Sequence, residues 1–304
     1  MGRYASSGRH RAGLRGRAAR FRRGRAVDPA ALEARLRADT ANEINAVLVV
    51  QVDTASGVVN DIPAMRAAID AAGHGAMLMV DTIASLGMMP FEMDAWGVDV
   101  AVAASQKGLM TPPGLSFVAA AGKALAAHPG ADLRTYYWDW TERKNPVHYK
   151  RYCGTPPEHL LFGLRKALDL MLEEGLGAVF ERHRLLAEAV RRAVTVWGGQ
   201  GALEFNIEEA AERSNSVTTV LLNGGRDPAA LLEYCDTKCG VVIGIAIGEL
   251  SGRAFRIAHM GHINAPAILG ILATIEFGMQ AVGIPHSKGG AQAAIDWLGQ
   301  SVPA

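Results

Sequence analysis

The chain has 304 residues, 49% of them hydrophobic and 20% charged, with 31 Lys+Arg against 30 Asp+Glu, the make-up of a soluble globular protein long enough for two domains. The near-neutral total hides an asymmetry: residues 1–25 hold nine Arg and no acid, which leaves 22 basic against 30 acidic side chains, a net −8, on the rest, so a nucleic-acid-binding reading rests on that stretch alone. Three cysteines, Cys153, Cys235 and Cys239, exclude a disulfide framework in a chain of this size and favour a reducing compartment, which places the body in the cytoplasm.

Residues 1–26 have no apolar periodicity and little with which to bury a core, so they read as a disordered or loosely helical leader. Basic, acid-free leaders also serve as organelle transit peptides, and Arg clusters bind nucleic acid. Both readings rank here below a solvated or non-native N-terminus.

After Val27 the character changes. Asp28-Pro29 is an N-cap followed by Pro at the first helical position, opening a helix to Leu36. Residues 46–52 (AVLVVQV) form a short apolar run of the kind expected of a strand buried on both faces. Residues 62–72 are helix-periodic, and residues 76–80, 98–104 and 115–121 read as three further strands. Strands alternating with helices predict a mostly parallel α/β sheet with helices on its faces. Residues 136–152 are aromatic and polar and read as connecting surface. A long helical pattern at 157–196, broken near 175–177, leads to strands at 216–222, 241–247 and 254–258. The expected organisation is therefore a leader at 1–26, a larger α/β domain at 27–174 and a smaller α+β domain at 175–304. The apolar stretch at 265–284 contains Glu276, Gln280 and three glycines, so it reads as a buried or amphipathic helix rather than a membrane span.

In open α/β sheets ligands bind outside the carboxyl ends of strands, so polar residues directly after apolar runs are the places to look. Four such sites occur: the segment 51–57 containing Thr54, the segment 81–85 opening on Asp81, the triplet Ser105-Gln106-Lys107, and Arg256 in the last strand. A Lys at a buried strand end is unfavourable unless paired or used covalently. An Asp on a neighbouring strand suits the ring nitrogen of pyridoxal phosphate, which it keeps protonated while the Lys forms the Schiff base. Spacing alone leaves a buried Asp–Lys ion pair on equal terms with this reading.

The surrounding letters shift that balance. VDTIASLG at 80–87 followed by SQKGLMTPPGLSFV at 105–118 resembles the class V, fold-type-I, pyridoxal-phosphate-dependent aminotransferases of the alanine-, serine- and aspartate-glyoxylate group. The resemblance runs from about Val27 to the C-terminus. It implies a fold-type-I α/β transferase with Asp81 as the pyridinium partner, Lys107 as the Schiff-base lysine and proton shuttle, and Gln106 against the cofactor beside it. Tyr152-Cys153-Gly154-Thr155-Pro156 is similar to the family's Tyr-x-x-Thr-x-Pro, which implies that Tyr152 and Thr155 reach the cofactor phosphate of a neighbouring subunit in a homodimer. Arg256, in AFRIAHMG, resembles the family's carboxylate-clamping Arg, a task that suits a planar guanidinium. Thr54 stands where the family places a small hydroxyl by the cofactor, although this segment departs from the usual His-Gly-Glu form.

The family's N-terminal segment, with its phosphate loop and ring-stacking aromatic, has no counterpart before Val27. The expectation is accordingly an N-terminally truncated chain, its leader a frameshifted or misannotated start, that transaminates between aspartate, serine or alanine and glyoxylate. The alternatives are an impaired or inactive fragment and a lyase on the same scaffold. Cys235-x-x-x-Cys239 reads as reduced thiols on a helix, and His259-x-x-His262 as ordinary loop histidines, so no metal is expected. Neither a G-x-G-x-x-G nor a G-x-S-x-G pattern is present.

Overall fold

The computed structural model describes residues 24–133 and 135–301; the readings made for the leader lie, up to residue 23, outside the described residues. Two four-stranded sheets carry the fold. The first contains β1 (Ala46–Val50), β2 (Met77–Asp81), β3 (Val100–Ala104) and β4 (Ser116–Ala120), in that spatial order. β1, β2 and β3 run parallel, and β4 returns antiparallel to β3. Helices α1 (Pro29–Arg37) and α2 (Ile62–Ala71) precede β1 and β2, each with Pro in its first turn and an Asp side chain, Asp28 or Asp61, accepting from a first-turn N–H. Their apolar faces cover one side of the sheet, where Leu36, Ile62, Met65, Ile69, Leu78 and Val80 form a core.

The other face differs from the sequence expectation. Leu48 in β1 is 78% exposed and Val118 in β4 is 52% exposed, so β1 is not buried on both sides. Helices α1 and α2 cover one face only. On the second, the short helices α3 (Gly122–Ala127) and α4 (Trp140–Arg143) lie near a cavity of about 310 Å³ lined by Met77, Met79, Val100, Trp138 and Trp140 among others. A continuous apolar run shows that both faces of a strand are suited to burial, not that both are covered.

Helices α5 (Glu158–Glu174) and α6 (Leu176–Trp197) follow the aromatic segment and meet at Gly175, where the pattern predicts the break. The second sheet is antiparallel, in the order β5 (Leu203–Phe205), β6 (Val217–Leu222), β8 (Ala254–Ala258), β7 (Gly244–Ile245). β5 is absent from the sequence reading, and β7 is two residues long where seven were expected. The second sheet packs with α6, α7 (Ala229–Cys239), α8 (Ala265–Ala281) and α9 (Gly290–Ser301) around Trp197, Phe255, Ile257, Ile268, Leu272 and Ile275. Each such side chain, fully buried, contributes about 1.5–3 kcal/mol over leaving it in water. Along α8 the buried Ile268, Leu272, Ile275 and Met279 recur at helical spacing, and no helix among the described residues is long and apolar enough to cross a membrane.

Glu276 ties α8 to α9. Its carboxylate accepts from Trp197 Nε1 (3.1 Å), from the Gly289 N–H and from the Ala291 N–H (2.8 Å), so it caps the start of α9. Burial opposes its ionisation, but these donors outweigh burial and hold its pKa below the ordinary glutamate value. A group with a lowered folded pKa contributes stability that is present above the unfolded value and lost as pH falls through the folded one. Glu276→Ala, which leaves a buried indole N–H and two helix-start N–H groups unsatisfied, is expected to destabilise the chain by about 2–4 kcal/mol in urea titration at pH 7, and by less at pH 3. An equal loss at both pH values would remove the charge from the account.

Candidate active site

Because β1, β2 and β3 are parallel, their carboxyl ends lie at one edge of the sheet, and the register pairs Val50 with Asp81 and Asp81 with Val102. Asp81 therefore sits at the centre of that edge. Its Oδ1 accepts from the Ile83 N–H (2.8 Å), and the side chain has no cationic partner among the described residues. The buried Asp–Lys ion pair is thus not formed.

Lys107 lies in the turn after β3, half-buried, with no hydrogen-bond or ion-pair partner for its amine among the described residues. Burial, and secondarily the charge of Arg256, hold its pKa below the usual lysine value. The turn is rigid. Buried Ser105 donates its hydroxyl to Pro112 O (2.8 Å), the Thr111 N–H returns to Ser105 O (3.0 Å), and the Met110 N–H donates to Lys107 O (3.1 Å). Gly108 is buried against the carbonyl of Leu86, in the segment that follows Asp81. The Asp81 and Lys107 loops are therefore fixed relative to each other by backbone contact.

Arg256 arrives from the second sheet. Its Nε donates to Ile245 O (2.7 Å) and its Nη1 to Thr54 O (2.8 Å), so the strand of one sheet grips the strand-end loop of the other. Burial lowers its pKa and nearby Asp53 partly offsets this. It forms no salt bridge among the described residues. A guanidinium has five N–H donors, and one on Nη1 and two on Nη2 stay without a partner among the described residues, which a two-point hold on a carboxylate requires. The loop carrying Thr54 is further sewn to the second sheet through Thr219 Oγ1 on Ala55 O (3.1 Å) and Asn206 Nδ2 on Ser56 O (2.9 Å).

Thr54, Asp81, Lys107 and Arg256 thus occupy converging loops and strand ends, and the Thr54 hydroxyl has no partner among the described residues. Gln106 is exposed beside Lys107. Tyr152 and Thr155 are exposed on the segment between α4 and α5 and form no hydrogen bond, ion pair or ring contact with the others among the described residues. The carboxylate without a cationic partner, the amine with its depressed pKa and the half-free guanidinium fit a cationic ring nitrogen, a carbonyl carbon and a carboxylate respectively, the set presented by pyridoxal phosphate and an amino acid.

Asp53 and Ser105 lie inside segments that the sequence reading singles out but are given no role there, whereas Arg182 and His183 escape it because they lie inside the amphipathic helix α6. His259 is not an ordinary loop histidine. It is buried beyond β8, its Nδ1–H donates to Asn215 O (2.9 Å) and its Nε2 accepts from Thr218 Oγ1 (2.9 Å), and burial pushes its pKa down to about 3. Both nitrogens are committed, which leaves neither for a metal.

Residues 7–260 match the family model described as Aminotransferase class-V. The match begins inside the Arg-rich stretch rather than at Val27. Over 278 residues the chain is 41% identical to the serine–glyoxylate aminotransferase of Methylorubrum extorquens, covering 89% of this chain and 68% of that protein. It is 38% identical to the L-aspartate–glyoxylate aminotransferase of Paracoccus denitrificans over 85% of this chain and 64% of that one. Among solved structures, the pyridoxamine-pyruvate aminotransferase of Mesorhizobium loti superposes with a TM-score of 0.80 at 31% identity, covering 91% of this chain and 70% of that chain.

Proposed function

The chain belongs to the class-V aminotransferases, enzymes of the fold-type-I α/β architecture, and from that premise we propose that it is an aminotransferase moving an amino group from aspartate, serine or alanine to glyoxylate with pyridoxal phosphate as cofactor. The observation that carries the reading is the half-buried, partnerless Lys107 amine, its pKa depressed by burial and Arg256, on the same sheet edge as Asp81.

Bound at that edge, the cofactor supplies an electron sink for the bond broken at the substrate Cα. The protein's own groups do the rest. Asp81 would hold the proton on the ring nitrogen, and Lys107 Nζ would anchor the cofactor and accept the proton lost from the substrate Cα. Arg256 holds the amino acid by its carboxylate, and the carbonyls of Thr54 and Ile245 fix the guanidinium plane. Gln106 and the Thr54 hydroxyl contact the cofactor beside the anchor. Tyr152 and Thr155, exposed on one chain, would hold the phosphate in the partner of a homodimer. The three free cysteines are compatible with a cytoplasmic setting.

The test is acceptor dependence. Full-length chain supplied with pyridoxal phosphate is expected to form glycine only when an amino donor and glyoxylate are both present. Turnover of the donor without any oxo acid would make the protein a lyase, and no turnover of any donor would make it inactive.

A further inference from the structure

The loop that follows β8 is held by two neighbouring side chains of α6. The His183 ring, buried, donates from Nδ1 to Val179 O (2.7 Å), which leaves the Nε2 lone pair to accept from the Gly261 N–H (3.1 Å). Arg182 donates from Nη1 to both Gly261 O (3.0 Å) and Ile263 O (2.9 Å), and is itself held by a two-point bond from Nε and Nη2 to Glu174 (2.7 and 3.0 Å). Gly261 thus has its N–H and its carbonyl both bound by side chains. It lies in the left-handed region (φ +82°), and a Cβ built there would stand 3.4 Å from the Lys107 carbonyl and 3.6 Å from Met110 Cγ. The Lys107 turn therefore lies between Leu86, which Gly108 approaches closely, and the anchored Gly261, which neighbours it within about the width of a methyl group.

We infer that His183 is a positioning residue for Lys107, acting through Gly261 to fix the backbone from which the amine projects; this rests on the reading of Lys107 as the covalent anchor. The ring must present a lone pair at Nε2, since a second N–H there would face the Gly261 N–H. A misplacement of about 1 Å at reacting groups lowers turnover on the order of a hundredfold, so a few tenths of an ångström of freedom at Gly261 is read out in catalysis before it is read out in folding.

The test compares wild type, His183→Leu, which removes the acceptor, and His183→Gln, which restores an acceptor oxygen near the Nε2 position. Amide hydrogen exchange on the full chain without cofactor is expected to quicken about tenfold at Gly261 and Met110 in His183→Leu, with β6 amides unchanged and His183→Gln near wild type. In the loaded enzyme kcat is expected to fall about tenfold in His183→Leu with the donor KM unchanged. If that variant does not fold, Arg182→Gln takes its place, with the same local pattern expected. Unchanged exchange at Met110, equal quickening across β6, a rise in KM at constant kcat, or a His183→Gln variant as impaired as His183→Leu would each overturn the proposal. Borohydride trapping of pyridoxal phosphate in wild type separates the two claims. No label on Lys107 removes the anchor reading and the clamp's purpose with it, whereas normal labelling with unchanged exchange overturns the clamp alone.

Discussion

Replacing Lys107 with alanine is expected to abolish the borohydride-stable pyridoxyl label and to lower transamination on the order of a thousandfold or more, because both the covalent anchor and the base that works at Cα are lost. Label found on other lysines in wild type, or turnover within tenfold of wild type in the variant, would remove Lys107 from its role. The pH dependence of labelling carries the electrostatic part of the argument. Burial and then Arg256 lower the Lys107 pKa from 10.5, so the neutral, nucleophilic amine is populated at lower pH than on a free lysine, and labelling should rise with pH to a midpoint below that value. Arg256→Met removes a neighbouring positive charge and is expected to move the midpoint upward. A midpoint that stays put would mean that desolvation alone sets the shift.

The same pKa has a consequence for stability, with the opposite sign to that of Glu276. A lysine whose folded pKa is below its unfolded one binds its proton better when unfolded, so it disfavours folding at neutral pH and ceases to do so above the ordinary lysine value. The unpaired amine at the site is retained at the expense of fold stability, which is the pattern expected where a residue serves chemistry rather than packing.

The placement of the candidate residues was more legible in the sequence than their contacts. Asp81 and Lys107 follow short apolar runs, and parallel strands bring the ends of such runs to one edge, so their common placement at that edge follows from pattern alone. Arg256 was visible as a charge inside an apolar strand, but its grip on Thr54 O was not, since 202 residues separate the two and no local rule pairs them. His183 was hidden because it occupies a core position of α6, where Val179, Leu186, Val190 and Val194 set the pattern and a histidine reads as one more buried side chain. β5, three residues long, is too short for a period of two to register. The bare face around Leu48 and Met79 escaped for a different reason. Apolar letters record what a surface favours, whereas coverage depends on which elements are placed over it.

Gly108→Ala tests how strictly the Asp81 and Lys107 loops are held together. A Cβ built on Gly108 would stand 2.1 Å from Leu86 O and 3.0 Å from Met88 Cγ. The first of these is a backbone atom, and it cannot retreat easily: the Leu86 N–H donates to Thr82 O (2.8 Å), the Met88 N–H to Ser85 O (2.9 Å), and Thr82 and Ser85 are buried. Relief must therefore come from the Lys107 turn, which has to move by about 1 Å to restore ordinary contact, away from the Asp81 loop and into Gly261. A displacement of that size at the anchor is expected to lower kcat about a hundredfold, and the overpacking to destabilise the chain by about 1–3 kcal/mol or more. Gly122→Ala is the matched control. A Cβ there meets nothing within 4 Å, and at the start of α3 alanine is the better helix former, so activity and Tm should hold or rise slightly. A Gly108→Ala variant with wild-type kcat and Tm would show that the loops tolerate sliding past each other, and that the placement of Lys107 against Asp81 does not depend on their backbone contact.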